Sequence, residues 1–167
     1  LNIPEYLVPS VQYHGKYASL SLQGGIFAEL DAYSVRGKIN LSNAAFESVD
    51  IKGEEVALNI SSLTVKDCLS CNIQSGEAVI ENTFATHTEC RNKGGNVGIV
   101  KLNSKDSFLE AENGNVTATI LGKKEDFNLT LQAKEGTCNM DSDEGKNCSG
   151  AIKAFTGNGN IVIDFTD

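Results

Sequence analysis

A glycine and an asparagine followed by an alternating apolar run recur along this chain, and that recurrence restricts the fold more than any other feature. Gly95-Asn96-Val97 leads to Ile99, Gly114-Asn115-Val116 to Ala118 and Ile120, and Gly159-Asn160-Ile161 to Ile163 and Phe165. Gly76-Glu77-Ala78 and Gly136-Thr137-Cys138 keep the glycine and the apolar beat without the asparagine. The five glycines, Gly76, Gly95, Gly114, Gly136 and Gly159, are 19, 19, 22 and 23 residues apart. A unit of roughly 20 residues therefore repeats about five times.

Aligning the units on these glycines produces apolar columns. Five residues back stand Cys71, Cys90, Leu109, Leu131 and Ala154; two forward stand Ala78, Val97, Val116, Cys138 and Ile161; four forward stand Ile80, Ile99, Ala118, Met140 and Ile163. Apolar residues at every second position are the mark of a strand with one buried face. The alternation is already present at Ile26, Ala28 and Leu30, and continues through Val56, Leu58 and Ile60. A glycine between two such strands predicts a corner with a positive backbone angle, for which asparagine is the next most tolerant residue. A unit of this size cannot bury its apolar face alone, so equivalent units stack.

The expected fold is one all-β domain over residues 1–167, a right-handed β-helix-like solenoid of stacked rungs of about 20 residues. Residues 1–19, with Pro4 and Pro9, are expected to form an irregular lead-in or cap. An antiparallel sandwich is the competing arrangement. Helix is disfavoured even over residues 80–92, where Thr83, Thr86 and Thr88 are poor formers and no helical stripe occurs. Leucine-rich repeat spacing does not occur either.

The net charge of -8 and 14 scattered Lys and Arg residues argue against nucleic acid and against an anionic membrane surface. No apolar run reaches the ~20 residues of a spanning helix. The chain opens on Leu1 without a basic-then-apolar leader, which suggests a mature or trimmed fragment whose anchor lies elsewhere. Five cysteines leave at least one unpaired in a monomer. Sequons at Asn40, Asn59, Asn115, Asn128 and Asn147 are more simply chance in a chain this rich in Asn, Ser and Thr.

Chemistry is sparse in this reading. Cys68-Leu69-Ser70-Cys71 invites a redox or zinc role, but no second ligand pair has suitable spacing. Cys71 and Cys90 share a column, so stacked rungs make them neighbours about 4.8 Å apart. They pack as small apolar groups or form a cross-rung disulfide; Cys148 could close a loop onto Cys138. Asp141-Ser142-Asp143-Glu144-Gly145 resembles half of a calcium loop but reads as a solvated turn. His14 and His87, with no nucleophile at motif spacing, read as surface residues. Glu54 and Glu55, as adjacent strand residues, should face opposite ways and make no dyad. Neither catalytic residues, cofactor nor metal is expected. Stacking on sugars would rest on Tyr6, Tyr13, Tyr17 and Tyr33.

The rung Cys71-Asn72-Ile73-Gln74-Ser75-Gly76, the corner Glu112-Asn113-Gly114-Asn115-Val116 and the close Thr156-Gly157-Asn158-Gly159-Asn160-Ile161-Val162-Ile163-Asp164-Phe165 carry a resemblance. Over residues 68–165 the chain resembles the bacterial adhesin-like, or toastrack-like, family of β-strand repeat domains. The resemblance implies a β-solenoid outside the cell, attached through a neighbouring membrane segment, with a role in adhesion or envelope sensing. It implies no catalytic residues. The expected function is a non-catalytic surface interaction module whose ligand is a glycan or an envelope protein. The alternatives are a polysaccharide-acting β-helix enzyme and the sensory domain of an envelope-stress regulator. Exposed strand edges at the solenoid ends make self-association a further expectation.

Overall fold

The computed structural model describes residues 8–143 and 148–166. Pro4, Tyr6 and Glu144-Gly145-Lys146-Asn147 lie outside the described residues. The strands are β1 (Val11–Tyr17), β2 (Leu20–Gln23), β3 (Ile26–Ser42), β4 (Ala45–Ser61), β5 (Thr64–Ser75), β6 (Ala78–Gly94), β7 (Val97–Ala111), β8 (Val116–Leu121), β9 (Phe127–Ala133), β10 (Gly150–Thr156) and β11 (Ile161–Thr166). Every paired strand runs parallel to its neighbour, and the chain winds into a β-solenoid of about 7 turns. Parallel neighbours require a long return path. Here that path is the rest of the turn, so Ile26 pairs with Ala45, Ala78 with Val97, and Val97 with Val116.

Alternation breaks at the bends, and this gives each turn three sides. Along β6 the buried side chains are Ala78 and Ile80, then Thr83 and Ala85, then Thr88, Cys90 and Asn92. Between these groups the inward register slips by one residue, because a bend places two consecutive side chains outside. β7 repeats the grouping with Val97 and Ile99, Leu102 and Ser104, and Ser107, Leu109 and Ala111. Two sides are short and the third is long. Ile51, Leu58, Ile73, Ile80, Cys90, Leu109 and Ile163 fill the single core with no solvent exposure.

The lead-in is not irregular throughout. Val11–Tyr17 is a strand in register with β3, with Val11 opposite Leu30 and Tyr13 opposite Ala32. This strand is partly core, since Val11 and Tyr13 pack against the cluster on alternate positions.

The corner glycines are required mainly by close approach rather than by a positive angle. Of the five, only Gly76 has a positive φ, at 119°. A Cβ at Gly95 would meet the carbonyl oxygen of Gly76; at Gly114, that of Gly95; at Gly159, that of Gly114; and at Gly136, that of Gly159. Each corner thus rests on the backbone of the corner beneath. The positive angles belong mostly to a different column, Gly24, Asn43, Ser62, Asn82 and Lys101, with φ of 71, 52, 54, 45 and 56°. That column bends the chain between the two short sides.

The same contacts fix the stacking order as 76, 95, 114, 159, 136, which differs from chain order. β10 lies between β7 and β9, with Ala154 opposite both Leu109 and Leu131. β11 pairs with β8 on one side, and Ile161 bridges Cys138 on the other. The last turn in sequence is therefore the penultimate turn in space. An asparagine ladder explains the insertion. Asn96 Oδ1 accepts the backbone N–H of Asn115 at 2.9 Å, Asn115 Oδ1 that of Asn160 at 2.8 Å, and Asn160 Oδ1 that of Thr137 at 3.0 Å. Asparagine stands at the three consecutive inner corners of Gly95, Gly114 and Gly159, and a threonine stands at the top. The outer edge of β9 is then covered by the chain folding back: Leu129 and Asp143 exchange backbone hydrogen bonds of 2.7 and 3.0 Å, and Ser142 Oγ accepts the Leu131 N–H.

Two outcomes separate the two corner types. Gly95→Ala should lose ~2 kcal/mol or more in urea unfolding because the opposing carbonyl is backbone and cannot step aside. Lys101→Gly should gain ~0.5–1 kcal/mol by relieving a left-handed angle. In hydrogen exchange, amides of Ile161–Thr166 should be as protected as those of β7, although chain ends ordinarily fray first. Rapid exchange there would contradict the insertion.

Candidate functional site

The long side presents outward the residues that alternate with its core positions, and registered stacking turns them into columns. One column runs Cys68, His87, Asp106, since Cys68 pairs with His87 and His87 with Asp106. The next runs Asp50, Ser70, Glu89, Phe108, Lys153, and a third Lys52, Asn72, Arg91, Glu110, Phe155. Residues far apart in sequence are thereby held about 4.8 Å apart on a rigid sheet.

An aromatic platform sits at the centre of this face. The Phe108 and Phe155 rings lie 5.5 Å apart, and the Arg91 guanidinium lies 4.5 Å from the Phe108 centroid. Arg91 Nε donates to Glu89 Oε1 at 2.6 Å, and its other end reaches Glu110 at 3.5 Å. The carboxylates hold the guanidinium over the ring, a contact that arginine makes readily. Sequence reasoning looked to tyrosines for stacking and missed this pair, because Phe108 and Phe155 are 47 residues apart. Only the inserted β10 brings them together. Of the described tyrosines, Tyr33 donates to Glu54 at 2.6 Å, Tyr13 packs at the end of the core, and Tyr17 is exposed. The bond to Glu54 holds the Tyr33 hydroxyl above its usual pKa.

Beside the platform is a hollow of about 310 Å³ whose lining includes Cys68, His87, Asp106, Phe108, Ala151 and Lys153. His87 Nδ1 is 3.1 Å from Asp106 Oδ2, which leaves Nε2 free. Burial, followed by the charges of Asp67, Glu89 and Asp50, pushes the Cys68 thiol up from its ordinary value. A larger hollow of about 670 Å³ is lined by Tyr33, Lys52, Glu54, Glu55, Asn72 and Gln74 among others. Glu54 and Glu55 do not face opposite ways there. They stand at the bend, where alternation lapses, and both line the hollow. Glu55 is paired with Arg36 and Lys52 with Asp50. The Asp50 hydrogen bond and charge raise the Lys52 pKa.

Cys71 and Cys90 are register neighbours, wholly buried on the inner side of the long face, and both are free thiols. Cys138 and Cys148 are also free and half-buried. Among the described residues no group of three His, Cys, Asp or Glu side chains is arranged to hold a metal ion. His14 lies edge-on to Tyr33 at 6.3 Å, on the outside of the first turn. The described part of the calcium-like stretch, Asp141 to Asp143, forms the cover over β9.

Burial pushes the Cys90 thiol up to about 12 and Cys71 well above its ordinary value. A group with a raised folded pKa contributes stability that is complete below its unfolded value, near pH 9, and is lost as pH rises toward the folded value. Unfolding free energy should thus fall between pH 9 and 12 by about 1.4 kcal/mol per pH unit for Cys90, with Cys71 adding a loss of the same sign. The Cys71→Ala/Cys90→Ala double variant, less stable at neutral pH, should show a distinctly flatter slope in urea titrations over that range.

A family sequence model described as Toastrack DUF4097 matches residues 20–166, which spans every turn from β2 to β11. No curated protein and no solved structure gives a significant match.

Proposed function

The chain belongs to the Toastrack DUF4097 family, and from that premise we propose that it is a non-catalytic interaction module, an adhesin at a bacterial cell surface, with the long outward face as its binding surface. The observation that carries this reading is the Arg91–Phe108–Phe155 stack, a rigid apolar platform fringed by Glu89, Glu110 and Lys153. Aromatic faces with adjacent charged and amide groups suit glycans and protein surfaces equally, and both stand as ligand classes for this face. The platform is built from strands rather than loops, so binding requires little ordering of the site. Attachment would come from a membrane segment elsewhere in the full protein. Self-association, on this reading, uses the β1 end, because the β9 edge is occupied by residues 142 and 143.

A polysaccharide-acting enzyme is the second reading, and the hollow holding Glu54, Glu55 and Lys52 is the observation that favours it. Two of those groups are committed to Tyr33 and Arg36, and Lys52 to Asp50, which leaves no carboxylate poised against a free base. Binding without turnover fits this pairing better.

Protease treatment of intact cells producing the full-length protein should digest this domain without lysis, and glycan-array or envelope-extract binding by the isolated domain should weaken about 10-fold or more in Phe108→Ala/Phe155→Ala. Protection until lysis would remove the surface role. Chain shortening of a bound polysaccharide, read as new reducing ends, would favour the enzyme.

A further inference from the structure

We propose that Cys68, His87 and Asp106 form a base-assisted attachment site at which the Cys68 thiol adds to an apolar α,β-unsaturated carbonyl compound. The three side chains come from β5, β6 and β7 and share one outward column, with Cys68 opposite His87 and His87 opposite Asp106. In sequence they are 19 residues apart at each step, one turn of the solenoid. That spacing matches no nucleophile motif, and only winding brings them into a row. Asp106 Oδ2 lies 3.1 Å from His87 Nδ1, so Nε2 is on the other side of the ring, away from the carboxylate. Cys68 and His87 line one hollow with the Phe108 ring, Ala151 and the stem of Lys153, a wall suited to a hydrocarbon chain.

The groups facing His87 include the carboxylates of Asp106 and Glu89 and the thiol of Cys68, with the Lys153 ammonium across the same hollow. Burial first, and then the charges of Asp67, Glu89 and Asp50, hold the thiol in its protonated form at neutral pH. Reaction therefore runs through proton removal by a neighbour rather than through a standing thiolate. In the step, His87 Nε2 takes the thiol proton as Sγ forms a bond to the β-carbon. The carbon–carbon π pair moves to the α-carbon, which then receives the proton from His87. Thiol and acceptor become a thioether with no oxidant or reductant consumed. Asp106 acts through His87 as a positioning residue. The addition is stoichiometric, so it extends the interaction-module reading without depending on it.

The test is labelling of the intact domain with trans-2-nonenal at neutral pH, with each cysteine quantified by peptide mass spectrometry. Half-buried Cys138 and Cys148 serve as internal references. Cys68 should react about 10-fold or more faster than either, and His87→Gln should remove at least ~10-fold of that rate. Asp106→Asn should reduce it less. Because His87 and Asp106 are each nearly half exposed, both variants should unfold at the wild-type urea midpoint, which checks that the fold survives. A Cys68 rate equal to the references, a rate unchanged by His87→Gln, or a rate that climbs only with thiol ionisation above pH 9 would overturn the proposal.

Discussion

The structure depends on one contact: from Gly76 to the top of the stack, the backbone of each turn rests at a glycine corner on the carbonyl of the turn beneath. Parallel strands in register satisfy their backbone groups only with turns above and below, so a single turn has no stable existence. At the corner the two backbones meet more closely than any side chain permits, as at Gly95 over Gly76 and Gly159 over Gly114. The asparagine ladder serves the backbone groups that the bend removes from the strand pairing. These bonds are exposed and contribute about 0.5–1.5 kcal/mol each, so Asn96, Asn115 and Asn160 set the register of the corners while the apolar columns supply most of the stability.

That contact also decides the end of the solenoid. Two turns compete for the place above Gly114, one with Gly136 and one with Gly159. The turn with Gly159 carries Asn160, which donates its N–H to Asn115 below and accepts the Thr137 N–H from above, and brings Ile161 and Ile163 to fully buried positions. The turn with Gly136 carries Thr137 and half-exposed Leu131, Cys138 and Met140, a composition suited to a lid. Placing it outermost keeps the better core residues inside. The charged fold-back at Asp143 then closes an edge that would otherwise invite another strand.

Much of this was legible in the sequence because a solenoid writes its period directly into the chain. The columns read from Cys71, Ala78 and Ile80 are columns of the core, and the all-β stacked fold follows from them. The order of the last two turns was not read, although the signal was present: Gly136 is followed by threonine where Gly95, Gly114 and Gly159 are followed by asparagine. Glycine's role was misread for a physical reason, since sequence does not distinguish a residue needed for its backbone angle from one needed for the absence of a Cβ. The true left-handed column contains Ser62 and Lys101, residues that carry no turn signal, and only its spacing of 19, 19, 20 and 19 residues betrays it.

The candidate site was hidden for a related reason. Motif reasoning seeks functional residues at the short spacings of a loop or helix, whereas a solenoid assembles its surface at multiples of the turn. Cys68, His87 and Asp106 are neighbours because they are one turn apart, and Phe108 meets Phe155 because β10 returns to lie beside β7. The scaffold supplies position without selecting chemistry, as the mixed outward columns show. What a face of this kind can do is set by where unlike residues fall into one column. On the long side, thiol, imidazole, carboxylate, guanidinium and two aromatic rings fall within three adjacent columns of a sheet whose geometry the core already fixes.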